Sequence, residues 1–246
     1  MSTSTSELLR ATAAFGLDGG GEVDYMVDEK IYCFWTGNNP ITPNRLKGLE
    51  TMHKNIGVHI EFLDKSGIEE RILPEAPLHP AYRYLSCIHK SDYLRCYFMH
   101  HFGGGYADIK PYSKNNNWRQ CFALINADRN IDVIGMHEVV NGSPYREYNT
   151  PVGREKLLGN GFFIARKKSE FTSLWYEELM RLMDRRLEDL KANPATDEFG
   201  GENYPLRWGE VQGEVFHKII MSLYDRNPKK FRNVLRPGWK KGLAYR

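Results

Sequence analysis

The chain has 246 residues, 41% of them hydrophobic and 26% charged, with a formal net charge of +3. That is the size and balance of one generous globular domain, and the charge is too small to indicate a nucleic-acid partner. No run approaches the ~20 consecutive apolar residues that cross a bilayer.

The first residues, Met1 to about Glu22, are Ser/Thr-rich and then Gly-rich, with one short helical piece over Glu7–Phe15. Without a sustained apolar stretch this is no signal peptide, and 1–29 reads as a flexible leader to a folded domain over 30–246. Ile31–Trp35 is an apolar run followed by turn residues, the mark of a buried strand. Pro43–Asn55 fits a helix with proline near its start. Val58–Leu63 alternates and reads as a second strand. Strand, helix and strand in this order make a βαβ unit, hence an α/β fold with a doubly wound sheet whose ligands sit at the carboxyl ends of the strands. Trp35, Thr36 and Asp64 fall at that edge.

Further along, 68–73 and 80–84 read as short helical turns and Ser91–Phe102 as a helix, with Ser91 or Asp92 as its cap. Gly103–Gly105 stop that helix and permit a tight connection. A strand follows over 107–109, carrying Asp108. Residues 121–125 fit either a helix or a strand, 131–136 a strand, and 157–166 a loop entering a strand. Glu170–Leu190 and Gly209–Tyr224 have helical periodicity. The four cysteines, Cys33, Cys87, Cys96 and Cys121, form no Cys-x-x-Cys pair and read as reduced thiols of a cytoplasmic protein. From Asn227 to Arg246 there are seven Lys or Arg and no acid. Such a tail is either simply solvated or touches an anion, whether a donor pyrophosphate or, through weak peripheral contact, a membrane surface.

The segment with most chemical content is 89–111. Asp92 and Arg95 lie one helical turn apart and face the same way, as an ordinary surface ion pair would. Beyond the glycines, Tyr106 and Asp108 share one side of the strand, and continued alternation puts Lys110 beside Asp108. A plain salt bridge at the strand edge is the structural alternative for Asp108.

These residues carry a resemblance. Ser91-Asp92-Tyr93-Leu94-Arg95, an apolar helix, and then Gly103-Gly104-Gly105-Tyr106-Ala107-Asp108 resemble the core of sugar transferases with a DXD-type sugar-binding region, such as mannosyltransferase-like and capsular polysaccharide synthesis enzymes. The resemblance extends from Ile31 to roughly Asn160. It implies a GT-A-type single domain, a mainly parallel Rossmann-like sheet flanked by helices. It also implies transfer of a sugar from a nucleoside-diphosphate sugar, UDP- or GDP-linked, to a glycan or glycoconjugate acceptor. On the matching positions it places Trp35 near the base and Ser91, Asp92 and Arg95 along the donor pocket. Thr36, Asp64, Gly104, Tyr106, Lys110 and Asn160 complete the substrate-binding set, Asn160 lying in the Gly159-Asn160-Gly161 loop; the alternatives are a turn cap for Asp64 and core packing for Trp35 and Tyr106.

The family's second acid is absent, since Asp108-Ile109-Lys110 stands where Asp-x-Asp is expected. Two expectations follow. In the favoured one, a divalent metal, Mn²⁺ or Mg²⁺, is held by Asp108 with His217 as a distant ligand. In the other, Lys110 supplies the positive charge. Residues 204–210 and His217 read as lid and acceptor wall, with Glu210, or Glu138, as the base an inverting enzyme needs. A non-catalytic nucleotide-sugar or glycan-binding protein of the same fold is the alternative function. A dinucleotide oxidoreductase is disfavoured, because the glycine run follows a helix and precedes a strand, opposite to the dinucleotide fingerprint.

Overall fold

The protein is described by a computed structural model covering residues 25–138 and 156–239. The helical piece expected at Glu7–Phe15 and the last residues of the basic tail lie outside this range. In chain order the elements are β1 (Lys30–Phe34), α1 (Pro43–Asn55), β2 (His59–Leu63), α2 (Lys65–Glu69), a 3-10 turn (Pro80–Tyr84) and α3 (Cys87–His101). There follow β3 (Gly104–Ala107), α4 (Trp118–Ala127), β4 (Val133–His137), β5 (Leu158–Ala165), α5 (Glu170–Ala192), α6 (Gly213–Arg226) and β6 (Phe231–Asn233). Ordered packing begins before Lys30: Val27 is buried, and its backbone exchanges hydrogen bonds with the Asn126 amide.

The six strands form one sheet in the order β2-β1-β3-β5-β4-β6. β1 pairs in parallel with β2 and with β3, and β4 with β6. β5 runs antiparallel to both of its neighbours, β3 and β4. The α/β class and the flanking helices are as expected, and three of the five pairings are parallel. The reversed β5 brings its amino end to the edge where β1, β2, β3 and β4 have their carboxyl ends.

Alternation along the strands feeds two cores. On one face Tyr32, Tyr106 and Phe163 pack with α3, α5 and α6 through Phe98, Trp175 and Phe216. On the other, Ile31, Cys33 and Phe162 meet α1 and α4 through Met52, Trp118 and Phe122. Fully burying one such apolar side chain contributes about 1.5–3 kcal/mol. All four cysteines carry free thiols.

α3 begins one turn earlier than its periodicity predicts. Ser86 is the cap, its hydroxyl accepting from the His89 amide at 3.3 Å. Ser91 and Asp92 therefore lie inside the helix, where their side chains are free of capping. Residues 121–125 belong to a helix, α4, and the Gly159-Asn160-Gly161 stretch, expected as a loop entering a strand, already lies within β5.

His100 joins α3 to α5, stacked on Tyr176 at 4.7 Å with the ring planes 4° apart. Burial there pushes its pKa down from 6.5 to about 4, with His101 and Lys168 adding to the effect. The folded state therefore refuses a proton that the unfolded chain accepts. The stability associated with neutral His100 is full above pH 6.5 and falls as pH drops toward about 4. We expect a loss on the order of 1–2 kcal/mol from this group over that window. Urea unfolding at neutral and mildly acid pH checks it. His100→Phe, which keeps a stacked ring, should show a smaller acid loss than the wild type, and equal losses would contradict the assignment.

Candidate functional site

The site is built where the carboxyl ends of β1 and β3 meet the amino end of β5 and the first half of α3. Asp108 directly follows β3. Its backbone is tied across to β5, the amide donating to the Gly161 carbonyl at 3.0 Å. Its carboxylate accepts from the Tyr106 hydroxyl at 2.9 Å, is 2.9 Å from the Lys110 ammonium and 3.8 Å from the Arg95 guanidinium. Its side chain is 26% exposed, so the group opens to solvent. Burial pushes its pKa up, but Lys110 and Arg95, with hydrogen bonds from Lys110 and Tyr106, outweigh it and hold the carboxyl below its usual range. Asp108 is an anion at neutral pH.

Behind it, Arg95 is the hub. The guanidinium pairs with Asp92 at 2.9 Å, donates to the Asn160 carbonyl at 2.9 Å, and lies 4.4 Å from the centre of the Tyr106 ring. In a desolvated setting such a cation–π contact contributes about 2 kcal/mol. Asp92 is buried, and burial raises its pKa while Arg95 and His89 pull it down. Burial also raises the Tyr106 hydroxyl well above its ordinary value, with Ser91 hydrogen-bonded to it. The structure thus brings together Ser91, Asp92, Arg95, Tyr106, Asp108, Lys110 and Asn160 out of the residues singled out from sequence. Asn160 enters through its backbone oxygen.

The remaining predicted residues are placed as follows. Thr36 donates its hydroxyl to the Cys87 carbonyl at 2.6 Å, locking the end of β1 to the start of α3. Trp35 donates its indole N–H to the Asn39 carbonyl at 2.7 Å. Asp64 is exposed and caps α2, accepting from the Gly67 amide at 3.0 Å and the Ser66 hydroxyl at 2.9 Å. Gly104 sits at the far end of β3 from Asp108. Its φ is +99°, and a Cβ there would stand 3.1 Å from the Lys30 carbonyl oxygen. The close approach it permits is to protein backbone, not to a ligand.

Glu210 is buried, and its carboxylate is clamped by Arg186 at 2.7 Å and by the Arg207 amide at 3.1 Å. It borders a cleft of about 380 Å³ between α5 and α6. The cations of that cleft are matched by acids, among them Arg207 with Glu214 at 2.6 Å and Arg185 with Glu178 at 3.5 Å. The loop before α6 does reach α3: the Tyr204 hydroxyl meets the His89 Nδ1 at 3.0 Å, one turn from Asp92.

His217 is fully buried, with Nε2 2.9 Å from the Leu158 carbonyl and 3.9 Å from Glu138. Among the described residues no group of three or more His, Cys, Asp or Glu side chains is arranged to hold a metal ion. A divalent ion at Asp108 would share its carboxylate with an ammonium 2.9 Å away and with the Tyr106 hydroxyl. Hard divalent ions are held by several oxygens, usually anionic ones. The donor set that the described residues offer around Asp108 does not fit such an ion.

Two site residues escaped the sequence reading. Trp239 and Phe162 stack at 5.8 Å, and the Lys110 ammonium lies 5.0 Å and 4.9 Å from their ring centres. Trp239 arrives because the chain after β6 folds back along the site and pairs with Tyr112. In sequence it sits inside a basic tail, and the lone Gly238-Trp239 pair was its one signal.

No protein-family model matches the chain, and no curated protein matches it in sequence. Among solved structures it is similar to a "PaToxG Glycosyltransferase" at 14% identity with a TM-score of 0.44, over 82% of this chain and 70% of that chain. At that level of likeness, function has to be argued from the site.

Gly104→Ala should destabilise the protein by about 1–3 kcal/mol, because a side chain is forced into the left-handed region against Lys30. The unfolding midpoint in urea reads this directly, and an unchanged midpoint would contradict the backbone role.

Proposed function

We propose that the protein is a glycosyltransferase that moves a sugar from a nucleoside-diphosphate sugar, UDP- or GDP-linked, to a glycan or glycoconjugate acceptor. The observation that supports this best is the chain of charges Asp92–Arg95–Asp108–Lys110 at the carboxyl edge of the sheet. Open α/β sheets bind ligands at that edge. A diphosphate leaving group gains charge as its bond to the sugar breaks, so a fixed cation there acts more strongly on the transition state than on the ground state.

In this reading Asp92, buried and oriented by Arg95, accepts hydrogen bonds from donor hydroxyls. Arg95 is a positioning residue, tying Asp92 to the strand that carries Asp108. Trp35 stands at the end of β1, where the base would stack. Asp108 holds Lys110 in register with the donor.

A second reading, a non-catalytic nucleotide-sugar or glycan-binding protein, draws support from Glu210. Both carboxylate oxygens of Glu210 are already engaged by the protein, one by Arg186 and one by the Arg207 amide, which favours a structural role for it over that of a general base.

Titration with UDP and GDP, followed by hydrolysis of the matching sugar nucleotide, separates these readings. The transferase reading expects binding and slow donor hydrolysis, with Asp108→Asn lowering kcat by about 10²–10³-fold, the usual cost of removing a preorganised electrostatic group. Binding without any turnover would favour the second reading. Absence of nucleotide binding would remove the transferase reading and leave glycan binding as the function to test.

A further inference from the structure

The residues around Asp108 put an ammonium where a metal-dependent site would carry a second carboxylate. We propose that Lys110 is the permanent cation of this site and that it binds and neutralises the donor diphosphate without a divalent metal. The inference rests on the transferase reading and deepens it, by stating what supplies the positive charge.

Three observations carry it. First, the ammonium is fixed: Asp108 Oδ2 holds it at 2.9 Å, and the faces of Phe162 and Trp239 flank it at 4.9 Å and 5.0 Å. Aromatic faces hold a cation in place without adding a negative charge of their own, so Asp108 and the two rings together fix the ammonium at this edge of the sheet. The Lys110 side chain is 14% exposed, partly withdrawn from water, where its field is less screened.

Second, the backbone beneath it is pinned. The Tyr112 hydroxyl donates to the Asp108 carbonyl at 2.9 Å, and Arg45 donates to the Ile109 carbonyl at 2.6 Å. A Cβ on Gly48 would stand 3.1 Å from the Lys110 carbonyl carbon, so α1 lies directly against this turn. A group held this way needs little reorganisation when charge develops.

Third, the charges balance before the donor arrives. Asp92 and Asp108 are matched by Arg95 and Lys110. A divalent ion added beside Asp108 would face the ammonium as a like charge. A diphosphate that approaches from the Lys110 side would meet it as an opposite one.

In the transfer step the bond between the sugar C1 and the β-phosphate oxygen breaks, and its electron pair stays on that oxygen. The acceptor hydroxyl oxygen forms the new bond to C1, and its proton passes to the departing phosphate or to water. Lys110 donates an N–H hydrogen bond to the phosphate oxygen that gains the charge.

The test is calorimetric titration of the full chain with UDP and with GDP, each in excess EDTA and in Mn²⁺. The wild type should bind one of them with the same Kd in both conditions. Lys110→Met should weaken binding by roughly 10–100-fold, the range for a lost hydrogen bond to a charged group. Lys110→Arg, which keeps the charge, should retain metal-independent binding. Lys110→Asp should bind poorly in EDTA and recover in Mn²⁺, a gain that a purely structural role for Lys110 does not predict. Thermal melts accompany each variant, and the wild-type and Lys110→Arg titrations decide the matter even if the other two do not fold. Wild-type binding that requires Mn²⁺ would overturn the inference and leave the transferase reading standing. Wild-type-like affinity in folded Lys110→Met would overturn it as well. No binding of either nucleotide under any condition would overturn both.

Discussion

The site depends on one buried guanidinium. Arg95 lies in the middle of α3, yet its contacts reach along its own helix to Asp92, across to the acid after β3, and over to the backbone of β5. Withdrawing a guanidinium from water is costly unless its charge is compensated. Here the partners are two carboxylates, a carbonyl oxygen and an aromatic face. Satisfying that charge fixes the height of α3 relative to the sheet edge, and with it the positions of Asp92 and Asp108.

The direction of β5 makes this possible. A parallel strand in its place would bring its carboxyl end to this edge. Because β5 runs antiparallel between β3 and β4, its amino end lies against Asp108 instead, and Gly161 supplies both a carbonyl for the Asp108 amide and the space its carboxylate occupies. A Cβ on Gly161 would stand 3.0 Å from Asp108 Oδ2. The segment after β6 closes the other side: Trp118 donates to the Pro237 carbonyl at 3.2 Å, which seats Trp239 over Lys110. The cation is thus held by an acid from its own turn and by rings from two distant parts of the chain.

Much of this was legible in the residues. The strand–helix–strand opening, the helix at 43–55 and the long helix from Glu170 follow from apolar spacing, because periodicity is a local property that burial imposes on each element. The Asp92–Arg95 pair follows from helical geometry, and the departure at Lys110 stands in the sequence itself. Misplaced boundaries have local causes as well. The Ser86 cap was hidden because the polar residues His89 and Lys90 follow it, so the first turn of α3 lacks the apolar signal, and the short β6 is too brief to show alternation.

Sequence alone determined the class of the fold, most of its elements and the residues that carry charge near Asp108. Only the tertiary structure decided what those charges do. Asp64 and Thr36 were drawn into a helix cap and a strand–helix tie, and Glu210 into a pair with Arg186. Arg95 found its carbonyl partner 65 residues away. Trp239 came from the far end of the chain to cover Lys110. The physical reason is the same in each case. Spacing along a chain encodes which face a side chain presents, whereas the partner it meets on that face is set by the direction and order of strands, which local residues do not carry.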